Sequence, residues 1–339
     1  RSQGLTAMAA LGFTAALLHV LNHGLIKGLL FQAAGGVLKG AGTGELDRLG
    51  GLYRRMPATG ALFLAGAIGV CGLPPMNGFV SEWLIALAAF RGGGDLEGAA
   101  ALGSILSIAV VALVGGLAAA GFVRTFGTVF LGTPRSDAGS GARDPGALMI
   151  GAGGAGLVLC LLIGVWPQAP LALLRPAVAT LAGPGADTGL AWGPPLAITR
   201  VAAVLVLALG GVLLLRALLL RGREVRAAPT WGCGYEAPGA RMQYTAASFA
   251  EPVLSPLAVL VHARVERQGP DGFFPAGARY DERHGDLAGE RMLVPAGRAL
   301  VRGLSRFRVL QQGRLQIYLA YVLATLVLLL LWQLGGVER

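Results

Sequence analysis

Apolar runs of about twenty residues recur along this 339-residue chain, each long enough to cross a hydrocarbon core about 30 Å thick. In such a solvent every backbone N–H and C=O must be satisfied within the segment, so a run of this kind folds as a helix. The expected fold class is all-α, a polytopic transmembrane helix bundle. Charge agrees: only 14% of residues are charged, against about 25% in ordinary soluble domains. So sparse a charge cannot cover the surface of a soluble enzyme and is far from the composition of a disordered tail. The net charge of +10 sits between apolar runs rather than on a folded basic face, which argues for a lipid bilayer and against nucleic acid as the partner.

The runs place spans at about Thr14–Leu38, Ala58–Leu73, a stretch ending in Trp83–Phe90, 101–131, Ala147–Val165, Ala197–Leu220 and Leu315–Leu334. This is about seven, one of them broken by Pro and Gly. Residues 1–13 read as the tail of a further helix whose start lies upstream, and 168–194 as a surface segment. Four regions follow: 1–131, 132–221, a polar section 222–314, and 315–339 with the final span. The polar section holds 13 Arg against nine acids, so the positive-inside rule puts it in the cytoplasm. Alternation then sets loop 39–57 outside, where its four basic residues strain the rule. Within 291–311, Leu293, Ala296, Leu300, Leu304 and Phe307 recur at helical spacing with Arg298, Arg302 and Arg306 between them, the pattern of a basic amphipathic helix on a membrane surface.

Ionisable residues inside the apolar runs carry the functional signal. His19, His23 and Lys27 stand at i, i+4 and i+8, within an arc of about 80° and a rise of about 12 Å. Intramembrane ionisable groups are costly and mark ion paths. Lys27 sits about 16 Å short of the end of its span, too deep to snorkel comfortably. It is one of two lysines among 28 basic residues. An ammonium can be discharged when desolvated and a guanidinium cannot, so Lys suits a relay and Arg an anchor. Glu82 follows Pro74-Pro75 and Asn77-Gly78, beside a helix interruption of the kind that exposes helix ends and carbonyls to ions. A carboxylate there can pair with Lys27 or, as the plainer alternative, sit at a helix entrance.

Other motifs carry less. Gly151-Ala-Gly-Gly-Ala-Gly156 matches a dinucleotide-binding pattern but lacks a preceding strand and a following acid, so it reads as close helix packing. Cys71, Cys160 and Cys233 form no Cys-x-x-Cys, and no cofactor or metal site is expected.

Longer stretches resemble a known family. His19-Val-Leu-Asn-His23-Gly-Leu-Ile-Lys27-Gly-Leu-Leu-Phe31 resembles the H-x-x-x-H-x-x-x-K-x-x-L-F segment of antiporter-like proton-pumping subunits, and Leu49–Pro57 their next loop. Leu73–Glu82 resembles their broken helix with its titratable residue. Such subunits occur in complex I, group 4 NiFe hydrogenases and multi-subunit Na⁺/H⁺ antiporters. Asn77–Trp83, Trp231–Tyr235, Arg241–Thr245 and Gln312–Tyr318 are most similar to the branch of hydrogenase-4 component B and formate hydrogenlyase subunit 3. The resemblance implies a second inverted repeat plus carboxy-terminal helices, with the first repeat outside this chain. It implies a non-redox subunit of an oxidoreductase complex in the cell's inner (plasma) membrane, working with other membrane subunits and a peripheral electron-transfer arm. Lys27, Glu82, His19 and His23 would then form a proton relay. The alternatives are a Na⁺/H⁺ antiporter subunit and a structural anchor without its own channel.

Overall fold

The computed structural model describes residues 2–183, 193–223, 239–255, 264–269, 277, 279–283, 289, 292–310, 313 and 315–335. The chain forms two units, residues 1–252 and 253–339. In the first, the helices are α1 (Ser2–Ala41), α2 (Pro57–Val70), α3 (Asn77–Asp95), α4 (Gly98–Val129), a single turn α5 (Asp137–Gly141), α6 (Ala147–Val165), α7 (Gln168–Ala182) and α8 (Gly193–Leu219). Helix α9 (Ala246–Leu254) runs across the boundary. The second unit holds an antiparallel pair, β1 (Arg264–Gln268) and β2 (Arg279–Arg283), then α10 (Val294–Ser305) and α11 (Leu315–Gly335).

The expected spans fall on α1–α4, α6, α8 and α11. Five of these are long and apolar enough to cross a bilayer, beginning with Thr6–Ala41. Helix α2 is apolar but has only 14 residues, a rise of about 21 Å. The side chains of α4 are buried only at Thr128 and Val129, and Leu113, Leu148 and Leu207 on α4, α6 and α8 are more than half exposed. Apolar exposure on that scale suits helices surrounded by lipid.

One expectation is corrected. Residues 2–13 are not part of a separate helix; they run on without a break into the next span as part of α1, 40 residues long. No proline and no charged residue lies between Ser2 and His19, so nothing breaks the helix before the histidines. Residues 168–182, expected only as surface, form α7 and bury Pro170, Leu171 and Val178. Leu171 joins Leu11, Ala15 and Leu18 of α1 and Val80 and Leu84 of α3 in one apolar cluster. The β pair was not foreseen; its register sets Arg264 opposite Arg283 and Glu266 opposite Asp281, a like-charge ladder without sequence signature.

A second cluster joins Ile26, Leu29, Leu30, Ala33 and Val37 of α1 to Leu62, Phe63 and Ala67 of α2 and Phe130 after α4. Phe63, Phe126 and Phe130 stack at 5.2–5.3 Å between neighbouring rings. Glycine allows the close approaches. A Cβ on Gly66 would stand 2.8 Å from Leu30, and one on Gly153 2.7 Å from Leu62. Gly153 belongs to the glycine-rich run of α6 and is the glycine of that run that packs closely; a Cβ on Gly151, Gly154 or Gly156 would meet open space.

Two long-range polar contacts fix the loops. Helix α2 starts at Pro57 without a local cap; the Asp144 carboxylate accepts from Ala58 N at 3.1 Å, Thr59 N at 3.0 Å and the Thr59 hydroxyl at 2.6 Å. A carboxylate is well matched to the positive end of a helix. Asp144→Ala is expected to lower stability by about 1–2 kcal/mol, measured as a shift of the thermal unfolding midpoint in detergent, with Asp144→Asn recovering part of it. The second contact explains the segment Arg241–Thr245. Gln243 donates to the Thr133 carbonyl and accepts from its N–H, both at 3.0 Å, while Arg135 donates to the Tyr244 carbonyl at 2.5 Å. Asp47 accepts from Ala246 N at 3.2 Å and lies 3.9 Å from Arg135. Burial pushes the proton affinity of the Arg135 guanidinium below its ordinary value, and Asp47 pulls it partly back. The segment straps α9 onto the loop after α4. Trp231–Tyr235, with Cys233, lies outside the described residues.

Candidate functional site

The site is built where α1 meets the break between α2 and α3. Helix α2 ends on Gly72, whose φ of +65° closes a Schellman motif: Leu73 N bonds to Ile68 O at 3.2 Å and Gly72 N to Gly69 O at 3.2 Å. The carbonyls expected to be free at this break are thus partly satisfied by the chain itself. The cis Pro74-Pro75 bond follows, and α3 begins at Asn77. Gly164 of α6 packs so tightly on the break that a Cβ there would strike the Pro75 carbonyl.

Residues on α1 anchor the new helix. Asn22 and Asn77 are wholly buried. Asn22 donates to the Asn77 carbonyl at 2.8 Å, and Asn77 donates to the Asn22 side-chain oxygen at 3.2 Å. One turn further, the Ser81 hydroxyl lies 3.2 Å from His19 Nδ1 and donates to Gly78 O at 3.1 Å. Ser81 is also fully buried, and His19 is half-buried.

The three basic residues of α1 do not share one environment. Each step of four residues turns the helix by about 40° beyond a full circle. His19 stands at the edge of the buried face. The rings of His19 and His23 are 5.8 Å apart, but His23 is already exposed. Lys27, about 80° round from His19, is exposed too, and its Nζ lies 5.5 Å from the centre of the Phe31 ring. Val20 and Phe31 on the same side are 71% exposed.

Glu82 is the sixth residue of α3, past the first turn, so it is not an acid at a helix entrance. It is half-buried. Its carboxylate folds back over the turn that ends α2: a Cβ added to Gly72 would collide with it. Among the described residues no ion pair joins Glu82 to Lys27. The structure brings His19 to Ser81, the neighbour of Glu82 in sequence, and sets Lys27 and His23 on the open side of α1. Among the described residues no group of His, Cys, Asp and Glu is arranged to hold a metal ion.

Sequence reasoning missed Asn22, Asn77 and Ser81. The signal was present. Leu11, Ala15, Leu18, Ile26, Leu29 and Ala33, all buried, cluster about 20–100° on one side of His19 in projection, and Asn22 falls among them. Lys27 falls on the other side.

Residues 3–108 match the family described as NADH:quinone oxidoreductase/Mrp antiporter, TM. The chain is 32% identical over 348 residues to hydrogenase-4 component B of Escherichia coli, covering 96% of this chain and 50% of that protein. It is 33% identical over 327 residues to an uncharacterized protein of Mycobacterium tuberculosis, covering 92% of this chain and 51% of the relative. The fold matches a chain of the membrane-bound sulfane sulfur reductase, an archaeal respiratory membrane complex, with a TM-score of 0.62 and 20% identity over 94% of this chain and 48% of that one. The chain spans about half the length of the curated relatives it matches. Residues 3–108, which carry His19, Lys27 and Glu82, thus belong to the family NADH:quinone oxidoreductase/Mrp antiporter, TM, and along nearly its whole length the chain is similar to hydrogenase-4 component B.

Proposed function

We propose that the chain moves protons across the inner (plasma) membrane as a non-redox subunit of a redox-driven complex, using His19, His23, Lys27 and Glu82 as the relay. The observation that supports this most is the polar seam between α1 and α3: His19, Ser81, Asn22 and Asn77 are joined by hydrogen bonds where two apolar helices pack. Polar groups packed between apolar helices are expensive unless they are paired, and here they border a half-buried carboxylate. Lys27 has a flexible four-carbon stem on the open side of α1, so its ammonium can swing between positions without moving the helix. His23 stands between Lys27 and His19 in the order of α1, its ring 5.8 Å from that of His19, and His19 Nδ1 contacts Ser81 beside Glu82. A proton passes along this row as neighbouring charges change: a charged Glu82 favours a protonated row, and neutralising Glu82 releases the proton.

The name of a curated relative, hydrogenase-4 component B, supports a place among other subunits; in this reading a peripheral electron-transfer arm supplies the drive. In this reading the section 222–314 faces the cytoplasm. The test is proton uptake by proteoliposomes holding the assembled complex, read with a pH-sensitive dye during electron transfer. Glu82→Gln is expected to cut the protons moved per electron while assembly is kept, at any sodium concentration. Unchanged stoichiometry in Glu82→Gln would refute the assignment, and uptake that follows sodium would favour Na⁺/H⁺ exchange.

A further inference from the structure

Helix α10 of the second unit differs from the other described helices in being both basic and amphipathic. From 291 to 314 the sequence has six arginines and neither Asp nor Glu, and no acid follows before Glu338. On α10, Arg298, Arg302 and Ser305 fall within about 60° of arc, while Leu300, Leu304 and Val301 occupy about 100° on the other side. Both faces are open. Leu300 is 64%, Val301 65% and Leu304 56% exposed. Among the described residues, Arg302 Nε donates to the carbonyl of Arg298 at 3.3 Å, and no carboxylate pairs with Arg298, Arg302 or Arg306.

Position narrows the occupant. Only nine residues separate Ser305 from Leu315, the start of α11, and five of them form the 3₁₀ turn Arg306–Leu310. At about 2 Å per residue in the turn and about 3.4 Å per extended residue, the end of α10 is tied within about 25 Å of the end of a membrane-length helix. A helix tethered there meets the bilayer interface at high effective concentration. Its composition suits that interface, with an apolar face for the acyl boundary and guanidinium groups that bond phosphate in a bidentate manner.

We infer that α10 lies in the plane of the bilayer interface and binds anionic phospholipid headgroups through Arg298, Arg302 and Arg306, with Leu300, Val301 and Leu304 turned to the acyl chains. Charge complementarity selects anionic over zwitterionic lipid, by about fivefold in partitioning for each arginine near the surface. A protein groove would need only the leucine face and would leave lipid charge irrelevant.

The experiment uses the full chain with its three cysteines changed to Ser and Leu304→Cys carrying an environment-sensitive fluorophore, in nanodiscs of phosphatidylcholine with or without phosphatidylglycerol. The fluorophore is expected to move into an apolar setting, quenched by nitroxide lipids, when phosphatidylglycerol is present, and added salt should reverse this. The triple variant Arg298→Gln, Arg302→Gln, Arg306→Gln should lose that dependence. The corresponding triple Lys variant should keep most of it, which separates charge from folding. Shielding that is equal in both lipids, absent in both, or lost equally in the Gln and Lys variants would overturn the inference. So would shielding that appears only when other membrane subunits are added, whatever the lipid.

Discussion

Lys27→Arg is expected to stop coupled proton movement in the assembled complex, with a loss of at least about tenfold, equivalent to about 1.4 kcal/mol or more in the limiting step. The argument is chemical. Arg keeps the positive charge, the apolar stem and any attraction to the Phe31 ring that Lys27 now faces. It does not keep the ability to release a proton, because a guanidinium stays charged at every working pH. Lys27→Ala should fail as well, but that result alone would not separate a relay from a fixed charge. Since Lys27 is exposed on α1 and buries no stem in the core, either change should leave the helices packed. Measured protons per electron should therefore fall while the yield of complex holds. A Lys27→Arg complex pumping at full stoichiometry would show that only the charge matters.

Gly72→Ala is expected to come close to that loss by a different route. Gly72 has φ +65°, which costs a residue with a Cβ about 1 kcal/mol, and its missing side chain leaves the space that the Glu82 carboxylate occupies. Alanine must displace either the Schellman turn or Glu82. The turn is held by two backbone hydrogen bonds and by the packing of the break on Gly164, so Glu82 is the softer element. Proton transport should drop several-fold more than thermal stability accounts for. Glu82→Asp in the same background should recover part of the transport, because the shorter carboxylate withdraws from the clash. Two changes whose effects simply add would show that the contact carries no functional weight.

Much of the helical plan was legible because length and hydropathy act locally. The broken helix announced itself through Pro74-Pro75, and α6, α8 and α11 through unbroken apolar runs. What escaped was set by long-range pairing. Nothing near Pro57 says that Asp144 caps α2, and nothing near Gln243 names the Thr133 backbone as its partner. Residues 2–13 do not stand out as part of α1 because a 40-residue helix exceeds what one crossing requires, yet no proline lies between Ser2 and Ala41 to end it. At the site, the spacing sets His19, His23 and Lys27 one turn apart along α1. It did not show that the 40° drift per step carries the row from the buried edge to the open side. Neither that side nor the place of Asn22 is written in any single residue, because the buried face is an average over many residues.

The central claim is that Glu82 exchanges a proton with the basic row of α1 during turnover. The most direct measurement is redox-triggered infrared difference spectroscopy of the reconstituted complex in the carboxyl C=O region, where a carboxyl absorbs only while protonated. The account predicts a band that appears on turnover, vanishes in Glu82→Gln and loses its transient character in Lys27→Arg. A band that persists unchanged in Glu82→Gln, in a complex that still moves protons, would contradict it.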